Sequence, residues 1–211
     1  MSLSPLPETF YEQSVQAVAR DLLGSRLIRC LDGEAGGAAH LLAGTIVETE
    51  AYQGESDLAC HARAGRTART EVMYGPAGRA YVYFIYGMHW MLNCVTGPEG
   101  SPEAVLIRAV LPGEGFEHNG EPQNLRSLWQ QTNGPAKICR VFHIDGSFNG
   151  VTLTSSHGSL RIEAGPPIPA KHVLTGPRVG INRVPEPWRS KPWRFRVDLQ
   201  TWEPTQAANL A

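Results

Sequence analysis

The chain has 211 residues, and its 19 basic and 20 acidic side chains give a formal net charge of −1. That length suits one domain with a sizeable core. The near-zero charge counts against a protein whose affinity comes mainly from phosphate contacts. No run of about 18 apolar residues offers a membrane-spanning helix.

Met1 to Phe10 has neither a basic n-region nor an apolar h-region, so no signal peptide is expected. Four cysteines, Cys30, Cys60, Cys94 and Cys139, include no Cys-x-x-Cys pair, and reduced thiols in a cytoplasmic protein are expected. Ser14 to Leu23 predicts a helix: Val15, Val18, Ala19, Leu22 and Leu23 share one face, and Gly24 stops it. A strand is expected over Leu27 to Leu31, then a turn over Gly33 to Gly37.

Leu41 to Tyr52 predicts a long strand. In strict alternation Ile46, Glu48, Glu50 and Tyr52 share one face, opposite Thr45, Val47, Thr49 and Ala51. Two acids and a tyrosine on one face fit a cleft lining, or equally an ordinary solvent face. Gln53 to Gly78 shows no period, and an irregular segment of that length in a compact domain is more often functional than idle.

Strands are expected at Arg79 to Tyr86, Trp90 to Thr96 and Ala104 to Val110. In the first, Tyr81, Tyr83 and Ile85 oppose Val82, Phe84 and Tyr86. Arg108 lies inside the third, where a charge needs an edge or a partner. Short helices are expected near Leu125 to Trp129 and over Ala136 to Phe142, the latter with Pro135 at its first position. Asn149-Gly150 marks a turn before strands at Val151 to Thr154 and Leu160 to Glu163, and Pro166 to Pro169 is a break. The Pro-, Arg- and Trp-rich C-terminal third yields no further element. Strands in runs with few helices between them predict an α+β fold: one domain over residues 1–211 with a mainly antiparallel sheet and flanking helices.

Chemistry concentrates in Glu48, Glu50, Tyr52, Asp57 and His61, followed by Tyr81, Tyr83 and Tyr86. No Gly-x-Gly-x-x-Gly follows a strand, and there is neither a phosphate-binding Gly-Lys-Ser/Thr loop nor a His-Glu-x-x-His. No cofactor is expected. Aromatic faces hold a base by stacking while a carboxylate activates a water. Of the 19 basic residues 16 are Arg, whose forks suit phosphate. They cluster at Arg63, Arg66, Arg69 and Arg79, and again with Lys191 at Arg178, Arg183, Arg189, Arg194 and Arg196. Two other readings stand beside this one. Glu48, Glu50, Asp57 and His61 could ligate Mn or Mg in a metal-dependent hydrolase, although no metal is expected. The tyrosines could form the platform of a non-catalytic nucleic-acid-binding module.

Ile46-Val47-Glu48-Thr49-Glu50-Ala51-Tyr52 resembles the signature segment of the alkyladenine (3-methyladenine) DNA glycosylase family. The segments at 57–62, 73–78, 81–88, 105–109, 134–139, 178–181 and 192–195 are similar too, in the family's order, so the resemblance runs from about Ser14 to Phe195. It implies a curved antiparallel sheet with a DNA-binding face. It implies that Glu50 is the general base, with Arg108 supporting the water it activates. Tyr52, Tyr83 and His61 then enclose the flipped base, Asn93 crowds the exocyclic amine of guanine, and Tyr86 wedges into the duplex. Arg66, Arg69 and Lys137 are expected on the DNA backbone. Glu48 is left as support.

The implied partner is double-stranded DNA containing a damaged purine, bound by a monomeric enzyme that hydrolyses the N-glycosidic bond. An electron-poor, cationic ring is expected to gain from cation–π attraction in such a pocket. No lysine precedes Lys137, so no amine in the chemical segments can form a Schiff base, and water attack that leaves an abasic site intact is expected. Cys60, Ala68 and Thr70 replace a serine, a proline and an asparagine common in the family, which bears on lesion range.

Overall fold

The computed structural model describes residues 4–31, 40–116 and 125–202, so the expected Gly33 to Gly37 turn lies outside it. Among the described residues, eight strands form one sheet: β1 (Arg26–Leu31), β2 (His40–Gln53), β3 (Ala80–Ile85), β4 (His89–Thr96), β5 (Glu103–Pro112), β6 (Leu160–Glu163), β7 (Val173–Gly176) and β8 (Arg194–Val197). The main order is β3-β4-β5-β2-β1-β6, with β8 joining β2 and carrying β7, and every strand pairing among the described residues is antiparallel. Four α-helices among the described residues accompany them: α1 (Glu8–Tyr11), α2 (Val15–Asp21), α3 (Leu125–Thr132) and α4 (Pro135–Val141). This is the α+β arrangement expected from the order of elements.

The sheet separates two environments. Even positions of β3 and β4, among them Ala80, Val82, Leu92 and Cys94, join the main core with Val15, Val18 and Ala19 of α2 and Ile138 and Cys139 of α4. Odd positions, Tyr81, Tyr83, Ile85, Met91 and Asn93, face a cavity instead. A period of two therefore decides which side chains pack and which meet a ligand. A second apolar cluster of Cys60, Ala62, Met73, Tyr81, Val95 and Ala104 backs the cavity. The irregular stretch after β2 supplies much of it, through three short 3-10 turns at Gly54–Ser56, His61–Ala64 and Glu71–Tyr74.

Two expectations about alternation are corrected. The register of β2 against β5 shifts on both sides of Glu48. Val47 is an extra residue on one strand and Arg108 on the other, as bulges require. Ile46 therefore packs in the main core with Val47 rather than sharing the face of Glu48 and Glu50. Tyr86 does not continue the alternation of β3. It begins the turn to β4 with φ 56°, followed by Gly87 at φ 69°, and this left-handed backbone brings its side chain to the cavity rim.

Val151 to Thr154 does not form a strand. Only a single bridge between Arg79 and Thr152 is made. Conversely, β7 and β8 arise in the Pro-rich C-terminal third where no element was expected.

Candidate active site

Glu50 lies mid-strand in β2, paired with Leu106 of β5 and Arg194 of β8. Its side chain has no exposed surface. Oε1 accepts a 2.6 Å hydrogen bond from the Val179 N–H, and Oε2 accepts from the Tyr52 hydroxyl at 2.9 Å and from Arg108 Nη1 at 3.4 Å. Burial nevertheless dominates and raises its pKa above the ordinary 4.5, against the lowering pull of Arg108, Val179 and Tyr52. Tyr52, Arg108 and Val179 all line the cavity, so Glu50 sits immediately behind the wall that its own donors build.

Arg108 occupies central strand β5 and is held by partners, not placed at an edge. Its Nε donates to Glu48 at 2.9 Å while Nη1 reaches Glu50. Glu48 also accepts from Arg194 Nε at 2.7 Å. Glu48 thus anchors two arginines, the supporting place that the resemblance left to it.

The cavity has a volume of about 320 Å³. Tyr52, His61, Tyr83 and Asn93 line it together, with Tyr86 at the rim. The His61 and Tyr83 rings meet edge to face, 4.5 Å between centroids at 80°. His61 Nδ1 lies 3.0 Å from the Tyr81 hydroxyl. Buried Asn93 donates its amide to the Tyr81 carbonyl at 3.0 Å, which fixes its orientation at the cavity floor. Tyr86 is 79% exposed and Met88 67%, an apolar protrusion at the tip of the β3–β4 hairpin.

The expected backbone contacts diverge. Exposed Arg66 forms a bidentate pair with Glu71, at 2.9 and 2.6 Å. Arg69 does not stand clear of the cavity wall; its guanidinium lies 5.3 Å from the centre of the Tyr83 ring. Lys137 Nζ donates to Gln130 O and Asn133 Oδ1, both at 2.8 Å. The replacement Thr70 is structural: its buried hydroxyl meets the Thr67 N–H at 2.9 Å and the Gly65 carbonyl at 3.1 Å, pinning the loop. The replacement Cys60 is buried in the cluster behind the cavity, whereas Ala68 is exposed.

Glu48, Glu50, Asp57 and His61 do not converge. Among the described residues no group of three His, Cys, Asp or Glu side chains could hold a metal ion. The acids are taken up by arginines, and Asp57 most completely. It forms a two-pronged pair with Arg178 in which neither side chain has exposed surface.

Sequence reasoning did not assign Arg178 or Val179 to the site. Arg178 also donates to the Ala51 carbonyl at 2.9 Å and stacks between the rings of Tyr52 and Trp193, 4.7 and 5.1 Å from their centroids. The family-like segment 178–181 was the available signal, but nothing local shows that it crosses back over β2. Trp188 and Trp193 pack around Lys191 Nζ, 3.7 and 4.1 Å from the ring centres.

The profile of a family described as methylpurine-DNA glycosylase (MPG) matches residues 9–201. The chain belongs to that family. Three relatives carry the name "Putative 3-methyladenine DNA glycosylase". One, from Anaeromyxobacter dehalogenans (strain 2CP-C), is 46% identical over 198 residues, covering 93% of this chain and 85% of the relative. One from Myxococcus xanthus is 44% identical over 192 residues, 91% and 89% of the two chains. One from Methanocella arvoryzae is 44% identical over 191 residues, 90% of each. The methylpurine-DNA glycosylase assignment makes the chain a DNA N-glycosylase. No helix among the described residues is long and apolar enough to cross a membrane.

The electrostatics of this site predict its pH dependence. Burial first, then Arg69 and Arg63, lower the His61 pKa to about 4. Unfolded His61 titrates near 6.5, so its burial contributes stability above that pH, and the contribution is lost as pH falls toward 4. His61 stays neutral through the working range, and because burial holds the Glu50 pKa above the ordinary carboxylate value, an acidic limb in the pH–rate profile is expected from Glu50. H61Q should slow excision yet leave that limb at the same pH; a limb that moves with H61Q would assign it to the histidine.

Proposed function

We propose that this glycosylase flips alkylated or deaminated purines from duplex DNA and hydrolyses the N-glycosidic bond with a water activated by Glu50, leaving an abasic site. The observation carrying this reading is a buried carboxylate directly behind a base-sized aromatic cavity, with its pKa raised and its donors in the cavity wall. Tyr52, Tyr83 and His61 enclose the base, and Asn93 meets its exocyclic edge at the floor. Tyr86, exposed at the turn of the β3–β4 hairpin, fills the gap left in the duplex. Extrusion costs a few kcal/mol, and least at damaged positions.

The water reaches Glu50 past Val179, which is 45% exposed and covers Oε1 with its N–H. Arg108 holds Oε2 and Glu48 holds Arg108, so the base keeps its orientation as it takes the proton. Until that transfer is complete, the negative charge of the carboxylate also stabilises the oxocarbenium-like transition state. The enzyme acts as a monomer on double-stranded DNA. Arg66 and Lys137 lie exposed at positions from which they can turn to phosphate on binding, while Arg69, the third expected backbone contact, keeps its guanidinium on Tyr83 at the pocket wall.

A monofunctional reaction is supported by the cavity lining, which contains no lysine among the described residues. The test is release of free purine from duplexes carrying 3-methyladenine, 7-methylguanine, hypoxanthine or ethenoadenine. Base release is expected without strand cleavage and without a borohydride-trapped adduct. No release from any lesion sinks the reading, and a trapped adduct sinks its monofunctional part.

A further inference from the structure

We infer that Arg178 and Arg69 are specificity-determining residues whose guanidinium groups, packed on the tyrosine walls of the base pocket, bias it against bases carrying a positive charge and toward neutral damaged purines. The inference rests on the base-excision reading above and names which part of that substrate class the pocket favours.

Tyr52 and Tyr83 present rings to the cavity, and neither arginine lines it. Arg178 lies 4.7 Å from the centre of the Tyr52 ring and Arg69 lies 5.3 Å from that of Tyr83. A tyrosine attracts a cation through the negative charge of its π face. Here that charge already serves a guanidinium on each tyrosine, so a cationic base stacked on the same ring meets a depleted partner and a like charge beyond it. A neutral purine keeps its dispersion and stacking gain and loses nothing. The third wall, His61, meets Tyr83 edge to face and supplies no negative charge, and the Glu50 carboxylate behind Tyr52 is countered by Arg108, which lines the cavity and reaches it at 3.4 Å.

Asp57 does not cancel the effect of Arg178. A fork-to-fork pair places the carboxylate in the plane of the guanidinium, at Nη1 and Nη2, whereas the guanidinium carbon lies over the rings of Tyr52 and Trp193, 4.7 and 5.1 Å from their centres. Asp57 reduces the field on Tyr52 but does not come between the cation and the ring. The sequence reading, which counted aromatic residues alone, expected cation–π attraction to favour cationic lesions. The arginines reverse that expectation. Alkylated cations remain substrates because their glycosidic bonds are weak before binding, while neutral lesions need the advantage in the pocket.

The test is single-turnover excision from duplexes of one sequence carrying either 7-methylguanine, a cation, or hypoxanthine, neutral. The readout is the ratio of the two rate constants, which removes general losses of folding, DNA affinity or water activation. D57N/R178M, which removes the cation, should raise the 7-methylguanine to hypoxanthine ratio about fivefold, the factor carried by a cation–π contribution near 1 kcal/mol. D57N alone, which leaves the cation without its counter-charge, should lower the ratio. R69Q should raise it, and because Arg69 is exposed that variant tests the inference even if both buried variants fail to melt cooperatively. A ratio that stays at the wild-type value in R69Q and in any folded variant at Asp57 or Arg178 overturns the inference. Wild type that excises neither lesion overturns the base-excision reading instead.

Discussion

Glu50→Gln is expected to lower single-turnover excision by about 10²–10⁴-fold, the usual contribution of a general base, without lowering the melting temperature at pH 8. The first half follows from chemistry: an amide cannot take a proton from water. The second follows from the sign of the pKa shift. Burial raises the Glu50 pKa, so between the unfolded and folded values the native state binds the extra proton. Its contribution to stability is favourable at low pH and is lost as pH rises through the folded value. At pH 8 the native protein holds an ionised carboxylate at net cost, and the variant is relieved of it. Arg108 retains Glu48 as a partner at 2.9 Å, so removing the Glu50 charge does not leave it alone. Thermal melts of wild type and variant at pH 8 and pH 5 check the point: the advantage of the variant should shrink toward pH 5. A full-rate variant, or one that melts well below wild type at pH 8, contradicts this account. A group that costs stability and carries rate is what selection for function leaves in a site.

The sheet was legible where one period runs unbroken. In β3 the alternation set Tyr81 and Tyr83 opposite Val82, and the chain folds that way. It failed where a bulge resets the period, because an unpaired residue such as Val47 leaves no mark in composition. It failed again at Tyr86, where a positive φ at a non-glycine residue ends the strand early. The C-terminal strands were hidden for another reason. β8 is only Arg194–Val197, and it is made a strand by its neighbour β2, not by any pattern of its own. At the site, alternation offered Glu48 and Glu50 as equals. What separates them is burial and the Val179 N–H, which arrives from 129 positions away in the chain. Arg178 was hidden in the same way, as one basic residue in an apparently solvated cluster until the fold buries it against Asp57.

That buried pair gives the largest expected effect on stability. Asp57→Ala should destabilise the protein by about 3–5 kcal/mol, as breaking a buried ion pair from one side does. At roughly 2–4 °C per kcal/mol for a chain of this size, the melting temperature should fall by about 10 °C. The Arg178 side chain has no exposed surface, and without Asp57 its remaining hydrogen-bond acceptors are the carbonyls of Ala51 and Trp188, at 2.9 and 3.3 Å. Two carbonyl dipoles do not replace a carboxylate facing a cation that cannot deprotonate. Asp57 also closes the turn after β2, accepting from the N–H groups of Gln53 and Ala59 at 3.2 and 3.0 Å, and those bonds go with it. Replacing both partners separates charge from turn. D57N/R178M removes the ion pair but keeps an acceptor for one of those N–H groups, so it should recover most of the lost melting temperature. If D57A melts within about 2 °C of wild type, water reaches the guanidinium and the pair is not buried in solution. If D57N/R178M melts no higher than D57A, the turn, not the charge, is what Asp57 chiefly supports.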